Sequence, residues 1–370
     1  MNADHVLVIG FGGPTTRDEV KPFLLEVARG RSLGPGRLRE VARHYDAIGG
    51  SSPYHDRVIH FSETLEKRLR KANINLPVFV GMRNWHPFLK DALVQIKQRG
   101  GQKGIGLVLA PHRSPASFDR YVDDVTRAGT RSEKNVKFFP NSTPRIGASA
   151  RSGAEDIAYE YVNAWHDHPL WIRAQVEEIQ KIVQTMTAED APGLPGVSGA
   201  VPARGFIPRA GGRAKRGPLT QEERNATHVV FTAHSIPTAM AKRCRYEDDV
   251  RLSCELTANA FQGMSWSTAY QSRSGNPNEP WLGPDVVSTI PKLAAEGIQT
   301  ILVVPIGFMC DNAEVLYDLD IEVRQAVEKK NLHYRRTATV LENENVIRMF
   351  VELISDKIYS GQPRAIHRGL

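Results

Sequence analysis

Three carboxylates and one imidazole are the residues best placed to do chemistry. Glu314, Asp318 and Glu322 follow one another at intervals of four, directly after the apolar run Val303–Ile306 that Pro305 interrupts. Asp311 and Asn312 offer a helix N-cap just before them. On a helix, residues four apart climb about 6 Å per step along one side. The acids then form a stripe beside the apolar stripe Val315, Leu319, Val323 and Val327. Like charges at this spacing destabilise a helix by only a few tenths of a kcal/mol per pair, so a plain solvated face tolerates them. The helix dipole favours Glu314 and Asp318 in the first turns but does not account for Glu322. The imidazole is His234 in "TAHSIP", just past the strand Val229–Thr232. Residues at that point of a parallel sheet line its ligand crevice. A histidine there can hold a metal or accept a proton near neutral pH; taken alone it reads as one satisfied by a backbone carbonyl. Two strand ends that deliver an imidazole and a carboxylate ladder to one rim suit a path for a divalent cation or for protons. Hard oxygen ligands hand the cation inward and the imidazole holds it.

The glycine-rich start "GFGGP" lacks the spacing of a dinucleotide loop and the Lys-Ser/Thr of a P-loop. A tight turn that lets a flat ligand approach the backbone fits it as well. Farther on, Arg29, Arg31 and Tyr45 could anchor carboxylates, with Ser52 as a hydroxyl donor. Ordinary surface side chains fit these four equally until a fold places them in one cleft.

The elements that must carry these residues alternate as short apolar runs and amphipathic stretches, the βαβ pattern of a parallel sheet. Strands are predicted at 6–9, 78–80, 105–109, 136–139, 229–232 and 301–304, and helices at 61–72, 89–99, 169–187, 313–329 and 346–358. The halves echo one another: "HVLVIGFGGP" (5–14) resembles "HVVFTAHSIP" (228–237), and "IGLVLAPHRSP" (105–115) resembles "TILVVPIGFMC" (300–310). Two similar α/β halves would produce this. Residues 188–226, rich in Gly, Pro and Arg, read as a flexible insertion.

The 370 residues suggest two domains, and a hydrophobic fraction of 41% supplies real cores. The net charge of +7 suits acidic ligands, but Lys and Arg are scattered without a nucleic-acid motif. Three dispersed cysteines, Cys244, Cys254 and Cys310, argue against a disulfide framework or a structural zinc site and fit a reducing compartment. Neither a signal peptide nor a membrane-spanning run is visible, so a cytoplasmic protein is expected.

These motifs together resemble the ferrochelatases, which insert ferrous iron into a porphyrin to make haem. The resemblance rests on "GFGGP", "FLLEVARGR", "HYDAIGGSSP", "MRNWHPF", "LAPHRSPASFDRY", "FTAHSIP", "YQSRSGNPNEPWLGPDV" and "VPIGFMCDNAEVLYDLD" in that order, and only about 188–226 lies outside it. "SRSGNPNEPWLGPDV" and "RNWHPF" tilt it toward the coproporphyrin III ferrochelatases of Gram-positive type. The resemblance implies an α/β fold of two Rossmann-like, chelatase-type domains, each a parallel β-sheet flanked by helices, with the active-site cleft between them. The expected division is 1–165 for the first domain, 166–187 for a connecting helix, 188–226 for the insertion and 227–344 for the second domain. A C-terminal helix at 345–360 would pack back on the first.

Carried over, His234 matches the family's active-site histidine and Glu314 its opposing metal-site glutamate, both catalytic and both metal ligands. Asp318 and Glu322 match the acids leading away from the site and are expected as further metal-binding residues along a metal or proton conduit. His44, Tyr45, Ser52 and Tyr121 align with porphyrin-contacting positions, joined as candidates by Arg29 and Arg31. Phe11 stands where the family has a tyrosine that can ligate iron; a phenyl ring has no donor, so it is expected to stack. Three separated cysteines cannot supply the four thiolates of a [2Fe–2S] cluster, so none is expected. Ferrous iron enters as substrate, no organic cofactor is implied, and the partners are the porphyrin, iron and other enzymes of the haem pathway. A protoporphyrin IX ferrochelatase, a chelatase for cobalt or nickel, and a non-catalytic tetrapyrrole carrier are the rival readings. The carrier would need the cleft but not the acidic ladder.

Overall fold

The computed structural model describes residues 2–29, 35–129, 157–162, 165–186, 220–261, 263–274 and 278–359. The first half runs β1 (His5–Gly10), α1 (Arg17–Val27), α2 (Pro35–Ala47), α3 (Tyr54–Lys71), β2 (Val78–Met82), α4 (Leu89–Gln98), β3 (Lys103–Val108), α5 (Phe118–Gly129) and β4 (Ala158–Val162). Helix α6 (Pro169–Thr185) leads on to α7 (Gln221–Asn225). The second half runs β5 (Thr227–His234), α8 (Thr238–Ala241), α9 (Tyr246–Ala258), β6 (Ser265–Gln271), α10 (Val286–Ala295), β7 (Thr300–Val304), a π-helix (Val315–Val323), α11 (Arg324–Glu328) and β8 (His333–Arg336), before α12 (Glu344–Tyr359).

Each half is a four-stranded parallel sheet, ordered β2-β1-β3-β4 and β6-β5-β7-β8. The order is the same in both, as the sequence echo suggests. The inner strands β1 and β7 are buried at every residue, the mark of a parallel sheet covered on both faces. In each sheet the chain leaves the first strand toward opposite sides, so β1 and β5 mark the switch points where a crevice opens. The two echoes are offset from one another by two residues. Val6 pairs with Ile105, and Val229 pairs with Leu302 rather than with Thr300. A displacement of two residues leaves every side chain on its own face, which is why the echo survives it.

The three strands that the sequence did not yield, β4, β6 and β8, all lie at sheet edges. They are half-exposed and lack the continuous apolar run that marks an inner strand. The strand expected at 136–139 lies outside the described residues, as does most of the 188–226 segment. The end of that segment corrects the expectation of irregular chain: α7 begins at 221 because Thr220 and Glu223 form a reciprocal capping box.

Helix α12 packs on the first half. Phe350 sits 5.7 Å from Phe61 and 5.2 Å from Trp165 between ring centres, in a core shared with Trp171, Val346 and Met349. Helix α6 buries Trp171 in that core and Ile179 in the core of the second half. The halves also meet at His112, whose Nε2 lies 2.9 Å from Ser253 Oγ. Burial and the neighbouring His166 push the pKa of His112 down to about 3, so this link is uncharged. Phe350→Ala should destabilise the protein by about 3–5 kcal/mol, the usual range for a buried phenyl. Thermal unfolding would show this as a lowered midpoint, and an unchanged midpoint would mean that α12 is not part of this core.

Candidate active site

The crevice between the halves encloses about 510 Å³, within the range of small-molecule sites. Phe11, Leu24 and Arg83 face it from the first half, and His234, Glu314 and Asp318 from the second. His234 ends β5, and Glu314 follows the loop that leaves β7, the neighbouring strand. That loop must pass tightly over β5. The N–H of Gly307 donates to the Thr232 carbonyl at 2.9 Å, and a Cβ at Gly307 would lie 2.6 Å from the Ala233 Cα. Only glycine permits this approach. Asn312 then caps the helix, its side-chain oxygen accepting from the Val315 N–H at 2.8 Å. Asp311, the other cap candidate, instead meets Arg336 and Thr339 at 3.2 and 3.1 Å.

The His234 ring donates from Nδ1 to the Ser235 carbonyl at 2.6 Å, which turns Nε2 toward Glu314, 3.5 Å away. Burial disfavours the charged imidazole. The charge and contact of Glu314, the Ser235 carbonyl and the charge of Asp318 outweigh it, and the His234 pKa is pushed up to about 9. The Tyr246 hydroxyl donates to the His234 carbonyl at 2.8 Å and steadies the strand end.

Asp318 accepts from the Ser272 hydroxyl and, at 3.3 Å, from the Gln271 amide. Burial first, then the charges of Glu314 and Glu322, push its pKa up to about 7 against the lowering effect of those two hydrogen bonds. Glu322 is exposed at the outer end of the stripe; what burial it has, and the charges of Asp285 and Glu40, raise its pKa. The stripe thus runs from solvent inward to the His234–Glu314 pair. It is wound on a π-helix where the sequence pattern predicted an α-helix.

The other candidate residues are dispersed around this centre. Phe11 lines the crevice and packs edge-on against Phe23 at 6.3 Å. His44 lines it too, stacked on Tyr317 of the π-helix with ring centres 3.7 Å apart. Burial and the charges of Arg37 and Arg43, against that of Glu40, hold His44 below the usual histidine range. Tyr45 and Ser52 are buried and line a side chamber of about 120 Å³ that Phe11, His44, Glu314 and Asp318 share with the crevice. Tyr121 is buried beneath Arg83, whose guanidinium lies 6.0 Å from its ring centre, and does not line the crevice. Arg29 is exposed and paired with Glu26, away from the crevice wall. Arg31 lies outside the described residues.

Sequence reasoning missed Arg83, Gln271, Ser272 and Arg273, which also line the crevice. Arg83 directly follows β2, Gln271 ends β6, and Ser272 and Arg273 follow it. The strand-end rule that found His234 would have found Gln271, Ser272 and Arg273 had β6 been recognised, and Arg83 follows a strand that was. Among the described residues no group of three or more His, Cys, Asp or Glu side chains forms a metal cage.

Asp318 sets a pH dependence. Its folded pKa lies above the ordinary carboxylate value, so between that value and about 7 the folded protein keeps a proton that the unfolded chain has lost. Stability falls as pH rises through this window. Asp318→Asn should therefore raise the melting midpoint more at pH 8 than at pH 4; an equal shift at both would remove the assignment. His234 acts in the opposite region: its stabilisation is full below the ordinary histidine value and is lost as pH rises through about 9.

Among the described residues no helix is long and apolar enough to cross a membrane. The family model for ferrochelatase matches residues 3–194 and 212–358. Among curated relatives, a ferrochelatase of Rhodopirellula baltica is 32% identical over 96% of this chain and 86% of its own length. A coproporphyrin III ferrochelatase of Mycobacteroides abscessus is 30% identical over 97% of this chain and 90% of its own length. One of Mycobacterium bovis is 31% identical over 99% and 89%. Among solved structures, SirB from Bacillus subtilis with Fe3+ aligns at a TM-score of 0.52 and 12% identity over 97% of both chains, a likeness of fold. The chain belongs to the ferrochelatase family.

Proposed function

We propose that this ferrochelatase inserts ferrous iron into coproporphyrin III, with His234 and Glu314 as the groups that receive the metal and the displaced protons. Family membership makes the chain a lyase of haem biosynthesis that places iron in a porphyrin. The observation that carries the residue assignment is the His234–Glu314 contact of 3.5 Å on the crevice wall.

Insertion requires two pyrrole protons to leave as the cation enters. A flat ring hides its nitrogen lone pairs from a metal approaching along the perpendicular, so a site gains by holding a puckered ring closer to the transition state. With its pKa raised to about 9, His234 is protonated at neutral pH and its Nε2–H points toward Glu314. Iron arriving between the two displaces that proton toward Asp318, as metal binding to an imidazole must, and once the iron passes into the ring the freed imidazole and Glu314 take up the two pyrrole protons. Asp318, with its pKa near 7, can accept and release protons at working pH, and exposed Glu322 passes them to solvent. On the facing wall Phe11 supplies an apolar surface for the macrocycle and no donor atom for the metal.

Coproporphyrin III carries four propionates. Arg37, Arg83 and Arg273 line the crevice and suit an acidic ligand. Arg37 is committed to Glu40 and Arg83 to Asp124, whereas Arg273 is exposed. The names of the relatives from Mycobacteroides abscessus and Mycobacterium bovis support the same substrate. Anaerobic insertion of Fe2+, followed by absorbance with coproporphyrin III and protoporphyrin IX in parallel, should show at least about tenfold higher kcat/KM for the former. Preference for protoporphyrin IX would overturn the substrate assignment. His234→Ala should lower insertion by two or more orders of magnitude, the scale of a lost acid–base group, while porphyrin still binds. Insertion at the normal rate would remove His234 from the mechanism.

A further inference from the structure

Gln271 is buried to 1% exposure at the end of β6, yet it forms part of the crevice wall. Three acceptors surround its amide nitrogen: Asp318 Oδ2 at 3.3 Å, the Glu314 carbonyl at 3.4 Å and Ser272 Oγ at 3.4 Å. Such surroundings fix which end of the amide is NH2, because the flipped amide would set oxygen against a carboxylate and a carbonyl. The opposite end, Oε1, is then buried without a partner in the described structure. A buried acceptor is seldom left unpaired, so the side chain is being held for what its other end does. The backbone of Gln271 serves the second part of the site. Its carbonyl accepts from the Ser235 N–H at 2.8 Å, and the Ser235 carbonyl in turn fixes the His234 ring at 2.6 Å.

Ser272 completes the arrangement. Its φ of +61° lies in the left-handed region that a non-glycine residue seldom occupies. That conformation accompanies the hydroxyl bond to Asp318. A residue held in an unfavourable backbone state beside reacting groups marks a position that the surroundings over-determine.

We propose that Gln271 is a positioning residue for metal insertion: one residue ties the segment that orients His234 to the helix that carries Glu314 and Asp318, and so sets the spacing between imidazole and carboxylates. This rests on the reading of the crevice as the insertion site. Methionine matches glutamine in length and removes the donor. Gln271→Met should lower kcat about tenfold and leave the KM for porphyrin within about twofold, since the lost contact touches the metal groups and not the ring. Affinity for Co2+, followed by absorbance without porphyrin, should fall about tenfold as well.

The decisive measurement is a double-mutant cycle with Asp318→Asn. If Gln271 acts through Asp318, the second substitution adds little to the loss caused by the first. Fully additive losses, or a Gln271→Met variant with normal kcat and normal Co2+ affinity, would overturn the proposal. Ser272→Gly keeps the backbone conformation and deletes the hydroxyl, and it should give a smaller loss in the same direction. It is the variant to use if Gln271→Met melts early, and a normal kcat and Co2+ affinity there would overturn the shared clamp. A wild-type chain that binds Co2+ but inserts no iron into any porphyrin would defeat the insertion reading, and the Co2+ comparison would still decide the role of Gln271.

Discussion

The His234–Glu314 contact is the constraint around which the second half is built. A charged imidazole and a carboxylate held 3.5 Å apart at a crevice wall must be brought there by two different strands. Each feature nearby serves that convergence. Gly307 lets the chain leaving β7 lie against β5, because any side chain there would strike Ala233. The Ser235 carbonyl fixes the tautomer and the direction of Nε2. Tyr246 holds the His234 backbone from the far side. Such orienting bonds matter because an imidazole free to rotate would lose both its partner and its raised pKa.

The two halves share a strand order but not a chemistry. When the His-Val openings of β1 and β5 are superposed, Phe11 falls where His234 stands. One switch point therefore presents a phenyl ring and the other an imidazole, and both face the same crevice. The division suits a ligand whose centre must lose protons while its faces are apolar and its rim is acidic. The first half offers Phe11, Leu24 and Val27 with Arg37 and Arg83. The second offers the imidazole and the carboxylates. The His44–Tyr317 stack joins the walls, reaching from α2 to the π-helix.

The sequence made His234 and the acidic stripe legible because each follows a buried, largely apolar strand, the strongest signal that a parallel sheet leaves in a chain. The same rule lost Gln271, Ser272 and Arg273. Their strand, "SWSTAYQ", begins exposed at a sheet edge and ends buried, so its polar opening hides it. Arg83 was within reach, at the end of a recognised strand and inside a quoted motif, but a cation beside Asp124 looks like any surface pair until the fold turns it toward a crevice. Tyr45, Ser52 and Tyr121 are the converse: their residue types suit a ligand, and packing has buried them, Tyr45 and Ser52 in the side chamber that Glu314 and Asp318 also line. Chain order carries no information about which side of a helix the partner half will cover.

The π-helix follows from the period of its buried side. Val315, Leu319, Val323 and Val327 repeat strictly every four residues, and all four are fully buried. On an α-helix each such step overshoots a turn by about 40°. Three steps would carry Val327 roughly a third of the way round the axis and out of the core. A turn closed by i→i+5 bonds holds more residues, so a four-residue step falls short of it and the drift reverses. Winding 315–323 as π and 324–328 as α lets the two drifts cancel, and the apolar stripe stays on one line. Glu314, Asp318 and Glu322 each precede a member of that stripe by one residue, so they inherit its straightness. The core thus dictates that the carboxylates run in file toward His234, and the ladder is straight because the valines beneath it are.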